Sequence, residues 1–174
     1  MKAKTPEESK AIITDLILPG ETNPINNLFG GELLARMDRI ASIAARRHSR
    51  RYVVTASVNH VAFQKPIPLG SVITLEAKVS RAFRTSMEII IDVYIEDRES
   101  GQKVLANDAI YTFVAVNDNG YPVEVPPIEP QTEEEKERYE AALRRKQLSL
   151  VLAGKLDPKE ATELKALFFG KEKK

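Results

Sequence analysis

No cysteine occurs anywhere in the 174 residues, which removes disulfides, thiolate metal sites and a cysteine nucleophile. Histidine is nearly as scarce: His48 and His60 are the only two, too few for a multi-histidine metal centre, so no metal and no cofactor is expected. Long apolar runs are missing, and the N-terminus MKAKTPEESKAIITD has no apolar segment of the kind that directs secretion. A soluble, cytoplasmic protein without membrane contact is the expectation. An excess of either charge is also lacking. The 26 Lys plus Arg are offset by 25 Asp plus Glu, for a net charge of +1, so no whole-molecule field recruits nucleic acid, and a polyanionic ligand must meet a local patch.

What is present is a sequence with two periods. Residues 10–18, KAIITDLIL, form a short apolar run stopped by Pro19-Gly20, a strand and a turn. After the loop ETNPINNLF and Gly30-Gly31, apolar residues recur at helical spacing to about His48. Leu33, Leu34, Met37, Ile40, Ala41, Ala44 and Ala45 share one side, and Glu32, Arg36, Arg39, Arg46 and Arg47 the other. Beyond Arg51 the period becomes two, over residues 52–63, 71–83, 86–97 and 102–117, all rich in Val, Ile, Thr and aromatics. Turn residues between these runs suggest consecutive antiparallel pairing.

One early helix and a long antiparallel sheet combine in one obvious way: the sheet curls around the helix and covers its apolar stripe. This α+β arrangement is the hotdog fold. A single helix cannot cover five strands, and an open edge strand invites pairing, so self-association is expected. The prolines at 122, 126, 127 and 130 make an extended linker. The expected division is therefore a sheet domain over residues 1–130 and a charged helical tail over 131–174. In the tail, Thr132 with Glu135 opens one helix to about Ala153, and Asp157-Pro158 opens another near 158–169.

Two features could carry chemistry. Asp38 lies at the margin of the apolar stripe near Leu34, Ala41 and Ala45, so a carboxylate borders the buried region. By position alone the better reading is a partly exposed acid pairing with Arg39 or Ser42. Gly30-Gly31 allow close approach to the backbone at a helix N-terminus, where unsatisfied amides could hold a developing oxyanion. The loop, the amides and the acid would then face one cleft.

The string TNPINNLFGGELLARMD followed by IASIAARRH resembles the loop and helix of hotdog acyl-CoA thioesterases. VNHVAFQKPIPLGS, RTSMEIIIDV and AIYTFVAV resemble later strands of that family, so the likeness spans roughly residues 10–118. It implies hydrolysis of acyl-CoA to fatty acid and coenzyme A. By the same resemblance, Asp38 is the general base or nucleophile, Asn27 positions water or serves as the second catalytic group, and Gly31 with Gly30 polarises the thioester carbonyl. Arg81, Arg84, Thr85 and Ser86 would meet the coenzyme A moiety. Arg46, Arg47, Arg50 and Arg51 form a second cluster that answers the helix dipole. His48 and His60 read as structural, with no acid near His60 to build a triad. The fold predicts a dimer in which two helices lie back to back and share the cleft, with Asn27 of one copy facing Asp38 of the other, and the resemblance implies three such dimers in a hexamer. The alternatives are a non-catalytic acyl-CoA sensor, which would be expected to carry a DNA-binding element not seen here, and an enoyl-CoA hydratase, which needs a histidine that the loop lacks.

Overall fold

The computed structural model describes residues 1–170, so the last four residues of the expected tail lie outside the described residues. The chain divides into two compact units, Met1–Glu129 and a second beginning at Pro130. In the first, β1 (Ala11–Leu16) leads through the loop to α1 (Gly30–Ser49), followed by β2 (Tyr52–Ala62), β3 (Val72–Ala82), β4 (Ser86–Glu96) and β5 (Lys103–Val116). The five strands form one antiparallel sheet in the order β1-β3-β4-β5-β2.

The sheet folds around α1 as the two periods demand. Met37, Ile40, Ala41, Ala44 and Ala45 are wholly buried, as are Ile73, Leu75, Ala77 and Val79 of β3 and Ile89, Ile91 and Val93 of β4. Each large aliphatic side chain removed from water in this way contributes about 1.5–3 kcal/mol. The three alanines let α1 approach the sheet closely, and a change such as Met37→Ala would cost about 2–5 kcal/mol. The helix ends at Arg50, whose backbone is left-handed (φ 54°) and whose amide bonds the Arg46 carbonyl at 2.8 Å.

Consecutive pairing is correct for β3, β4 and β5 but not for β2, which pairs with β5 across the sheet and leaves its other edge open. The segment Pro66–Gly70 is therefore a crossing, not a hairpin. It is held by Leu69 donating to the Asn26 carbonyl and Gly70 to that of Ile17, at 2.8 and 3.0 Å. A second departure concerns Arg36. Placed on the outer face by helical spacing, it is instead 6% exposed, because carboxylates from β1, from the Pro19–Glu21 turn and from α1 itself converge on it.

In the second unit, Thr132 caps α2 (Glu133–Leu152) by accepting from the Glu135 amide at 3.2 Å, and the Glu135 carboxylate accepts from the Thr132 amide in return. Asp157 caps only a short 3-10 turn, Pro158–Glu160, and α3 (Thr162–Phe169) begins beyond it. The helix expected from residue 158 thus starts later, because Ala161 breaks the helical backbone (ψ 65°). Among the described residues no helix is long and apolar enough to cross a membrane.

Candidate active site

The loop between β1 and α1 is locked by its own amides. The Asn23 side-chain oxygen accepts from the Ile25 and Asn27 amides, both at 3.1 Å, as short Asn side chains do at turns. Asn26 takes a left-handed backbone (φ 57°), tolerable for Asn and costly for most side chains. Leu28 then donates to the Ile67 carbonyl at 2.8 Å and Phe29 to that of Glu21 at 2.9 Å. These bonds deliver the chain to the start of α1 in a single conformation.

There the helix has no side-chain cap, because its N-cap residue is Phe29. Leu33 is the first amide of α1 with an acceptor, the Phe29 carbonyl. The amides of Gly30, Gly31 and Glu32 have none among the described residues. A Cβ on Gly31 would meet nothing within 4 Å, whereas one on Gly30 would come 3.4 Å from the Phe63 ring. Gly31 thus faces open space. Of Gly30, Gly31 and Glu32, Gly30 lines a cleft of about 260 Å³, together with Asn23, Asn27, Phe63, Lys65 and Asn107 among others. The Asn27 side chain makes no hydrogen bond among the described residues.

Asp38 is not in this cleft. It is half-buried, and its partner is neither Arg39 nor Ser42 but Thr55 on β2, whose hydroxyl donates to Asp38 Oδ1 at 2.7 Å. Ser42 is occupied with the Arg39 carbonyl. The expected single cleft is thus two separate places within one chain: seven helical residues put Gly31 and Asp38 about 10 Å apart along the axis. Tyr111 lies beneath, its hydroxyl donating to the Leu34 carbonyl at 3.3 Å. Burial, with the nearby Asp38 charge adding to it, raises the Tyr111 pKa and keeps it protonated.

Behind the loop, Arg36 binds Asp15 at 2.9 Å, Glu21 through a short contact and Glu32 at 3.5 Å. The Leu18 amide and then Arg36 lower the pKa of Glu21. Arg36 therefore pins the turn that precedes Asn23 to the helix that follows it. Sequence spacing missed this role, as it missed Asn23 and Thr55. The Asn23-Pro24 pair was the available signal, since Asn-Pro starts turns.

Of the residues expected to meet coenzyme A, Arg84 is exposed and Arg81 lies over the Phe83 ring at 5.7 Å, while Thr85 is half-buried and Ser86 buried. His48 is wholly buried with Nε2 bonded to the Pro126 carbonyl at 2.6 Å. His60, expected to have no acid neighbour, stands 3.8 Å from Asp108 on β5, brought there by the β2–β5 pairing. Both groups are solvent-accessible, and neither histidine lines the cleft.

Residues 25–102 match the family described as the thioesterase superfamily. An uncharacterized acyl-CoA thioester hydrolase of Bacillus subtilis is 43% identical over 147 residues, 82% of this chain and 86% of that one. A hexameric acyl-CoA thioesterase superposes with a TM-score of 0.84 at 39% identity, covering 88% of this chain and 98% of its own. The acyl-CoA hydrolase of Staphylococcus aureus, solved with butyryl coenzyme A and coenzyme A, gives 0.82 at 36% identity, covering 94% and 99%. It has also been solved with an aspartate, a threonine or an asparagine replaced by alanine. Across both sequence and architecture, these likenesses mean that the chain belongs to the acyl-CoA thioester hydrolases of the thioesterase superfamily.

Proposed function

We propose that the chain hydrolyses acyl-CoA thioesters to fatty acid and coenzyme A at a site completed by two copies of itself. The observation that carries this reading is the separation within α1. A thioester carbonyl must lie about 3 Å from both its oxyanion donor and the group that activates its attacker. Gly31 and Asp38 of one chain are too far apart to serve the same carbonyl, so the amides of one copy work with the acid of the other. The open edge of β2 supports such a pairing: Tyr52, Val54 and Val58 of that strand leave 47–62% of their surface exposed. Dimers joined along β2, three to a hexamer, are the assembly we propose.

Each residue then has a task. The Gly30 and Gly31 amides polarise the carbonyl, and Asp38 acts as general base on water, one oxygen held by Thr55 and the other open. Asn27 positions that water, and Asn23 shares the task while holding the loop. The residues replaced in the Staphylococcus aureus hydrolase stand at the same separations along that chain as Asn23, Asp38 and Thr55 along this one. That correspondence favours Asn23 over Asn27 as the principal loop asparagine. Thiolate is a good enough leaving group that the mechanism calls for no metal. The chemistry belongs to the first unit, Met1–Glu129, and the tail packs subunits.

The experiment is complementation. Asp38→Ala and Asn23→Ala chains are each expected to be inactive on butyryl-CoA, and refolding them together should restore about a quarter of wild-type activity, since half the dimers carry one intact site of two. Activity absent from the mixture would put the site within one chain. Incorporation of ¹⁸O from water into Asp38 during turnover would replace the general-base role with direct attack.

A further inference from the structure

A cavity of about 600 Å³ lies where α1 ends and β2 begins. Arg46, Arg47, Arg50 and Arg51 line it, with Asp118 as the single carboxylate in its walls. Arg47 donates to the Lys10 carbonyl, but Arg46, Arg50 and Arg51 make no ion pair among the described residues. The contrast with Arg36, which three carboxylates surround, is informative. Guanidinium groups gathered without counter-charges repel one another. A helix dipole rewards cations only within its last turn, and Arg50 and Arg51 lie beyond it.

The second unit carries the opposite imbalance. On α2, Glu133, Glu137 and Glu140 stand at intervals of four and three residues, so they share one stripe. All three are exposed. Glu133 pairs with Lys136 and answers the positive start of the helix. Glu137 and Glu140 lie past the first turn and have no partner among the described residues. Like charges at this spacing weaken a helix. Two surfaces of one chain thus hold unbalanced charge of opposite sign, and neither has a local reason for it.

We infer that the arginine basin of one copy receives the acidic stripe of α2 from another copy, and that this contact joins dimers to one another. Charge and reach both match. Glu133 to Glu140 spans about 10 Å along α2, and Arg46 to Arg50 about 6 Å along α1, so carboxylates can meet guanidinium forks in pairs. A helix about 10 Å across does not enter a cavity of this size, so only its side chains reach in. Symmetry favours a second copy over a foreign anion. On the proposed β2 joint a surface meets its own counterpart in a twofold dimer, whereas contact between two different surfaces generates a ring, as three dimers in a hexamer form. Basin and stripe are two such surfaces. A net charge of +1 supplies no long-range field to gather a foreign polyanion. The inference rests on the three-dimer assembly proposed above and gives the tail a surface to pack against.

Because the chain has no cysteine, Arg50→Cys and Glu140→Cys introduced together in the full chain can be joined by a short bis-maleimide. Denaturing gels should then show products of two and three chains, the closed ring. A link within one chain, or none at all, would overturn the proposal. Charge reversal tests the same contact by its strength. Arg46→Glu with Arg50→Glu, and Glu137→Arg with Glu140→Arg, should each weaken association of dimers about a hundredfold in sedimentation, as loss of coupled interfacial ion pairs does. The dimers should keep the circular dichroism of the wild type. Combining all four substitutions should restore the larger assembly. Hexamers that survive either reversal, or that the combined variant fails to restore, would overturn the ionic contact and leave the three-dimer reading standing. A wild type that sediments only as a dimer at low salt would sink the three-dimer reading itself, and the inference with it.

Discussion

The two ends of the candidate site are finished to different degrees. At the glycine end, the loop is closed by its own amides, backed by Arg36 and roofed by Phe63 over Gly30. At the acid end, Asp38 is held by one hydroxyl from an edge strand whose outer side is bare. A donor must be rigid before charge develops, since reorganisation during the reaction forfeits the gain, so the chain spends its internal bonds on the donors. On the two-copy reading proposed above, the acid end is left open for another surface to arrive there.

If that contrast is correct, the largest effect belongs to the acid. Asp38→Ala should lower kcat by about 10²–10⁴ with little change in thermal stability, and equal losses of activity and melting temperature would break the distinction. Arg36→Met strikes the built end instead. It leaves three carboxylates facing each other, two of them nearly half exposed, so about 2 kcal/mol of stability should go, less than for a fully buried pair. Denaturant unfolding measures it, and KM should rise as the loop loosens. Gly31→Ala separates donor from scaffold: no atom lies within 4 Å of the new methyl and alanine favours helix by about 1 kcal/mol. Stability should therefore hold or improve while kcat/KM falls about tenfold because the methyl crowds the approaching carbonyl. The smallest effect lies away from both ends. Burial lowers the His48 pKa in the fold, only partly opposed by its bond to the Pro126 carbonyl. The unfolded chain therefore binds more protons below its ordinary pKa of about 6.5, and stability is present above that pH and lost on acidification. A melting series from pH 7.5 to 5 should show the decline, and His48→Gln should flatten it.

Much of the fold could be read from periodicity. The stripe Leu33, Met37, Ile40, Ala41, Ala44 defined α1, and the alternation Ile73, Leu75, Ala77, Val79 defined β3, because burial on one face forces those periods. Strand partners were less legible. Turn residues at 66–70 look the same whether the chain reverses or crosses the sheet, so the β2–β5 pairing, and with it His60 beside Asp108, was hidden. Arg36 illustrates a further limit: helical spacing ranks an arginine as outward, and only carboxylates from separate elements make its burial tolerable.

By itself the amino-acid sequence determined most of the secondary structure and the sheet around a helix, and it singled out Gly30, Gly31 and Asp38 as candidates, because these follow from local geometry and side-chain type. Tertiary structure alone decided that Thr55 holds Asp38, that carboxylates of separate elements gather on Arg36, and that four arginines share a basin. Each of these joins residues distant in sequence or sets them on a shared surface, and a distance across the fold leaves no periodic trace along the chain.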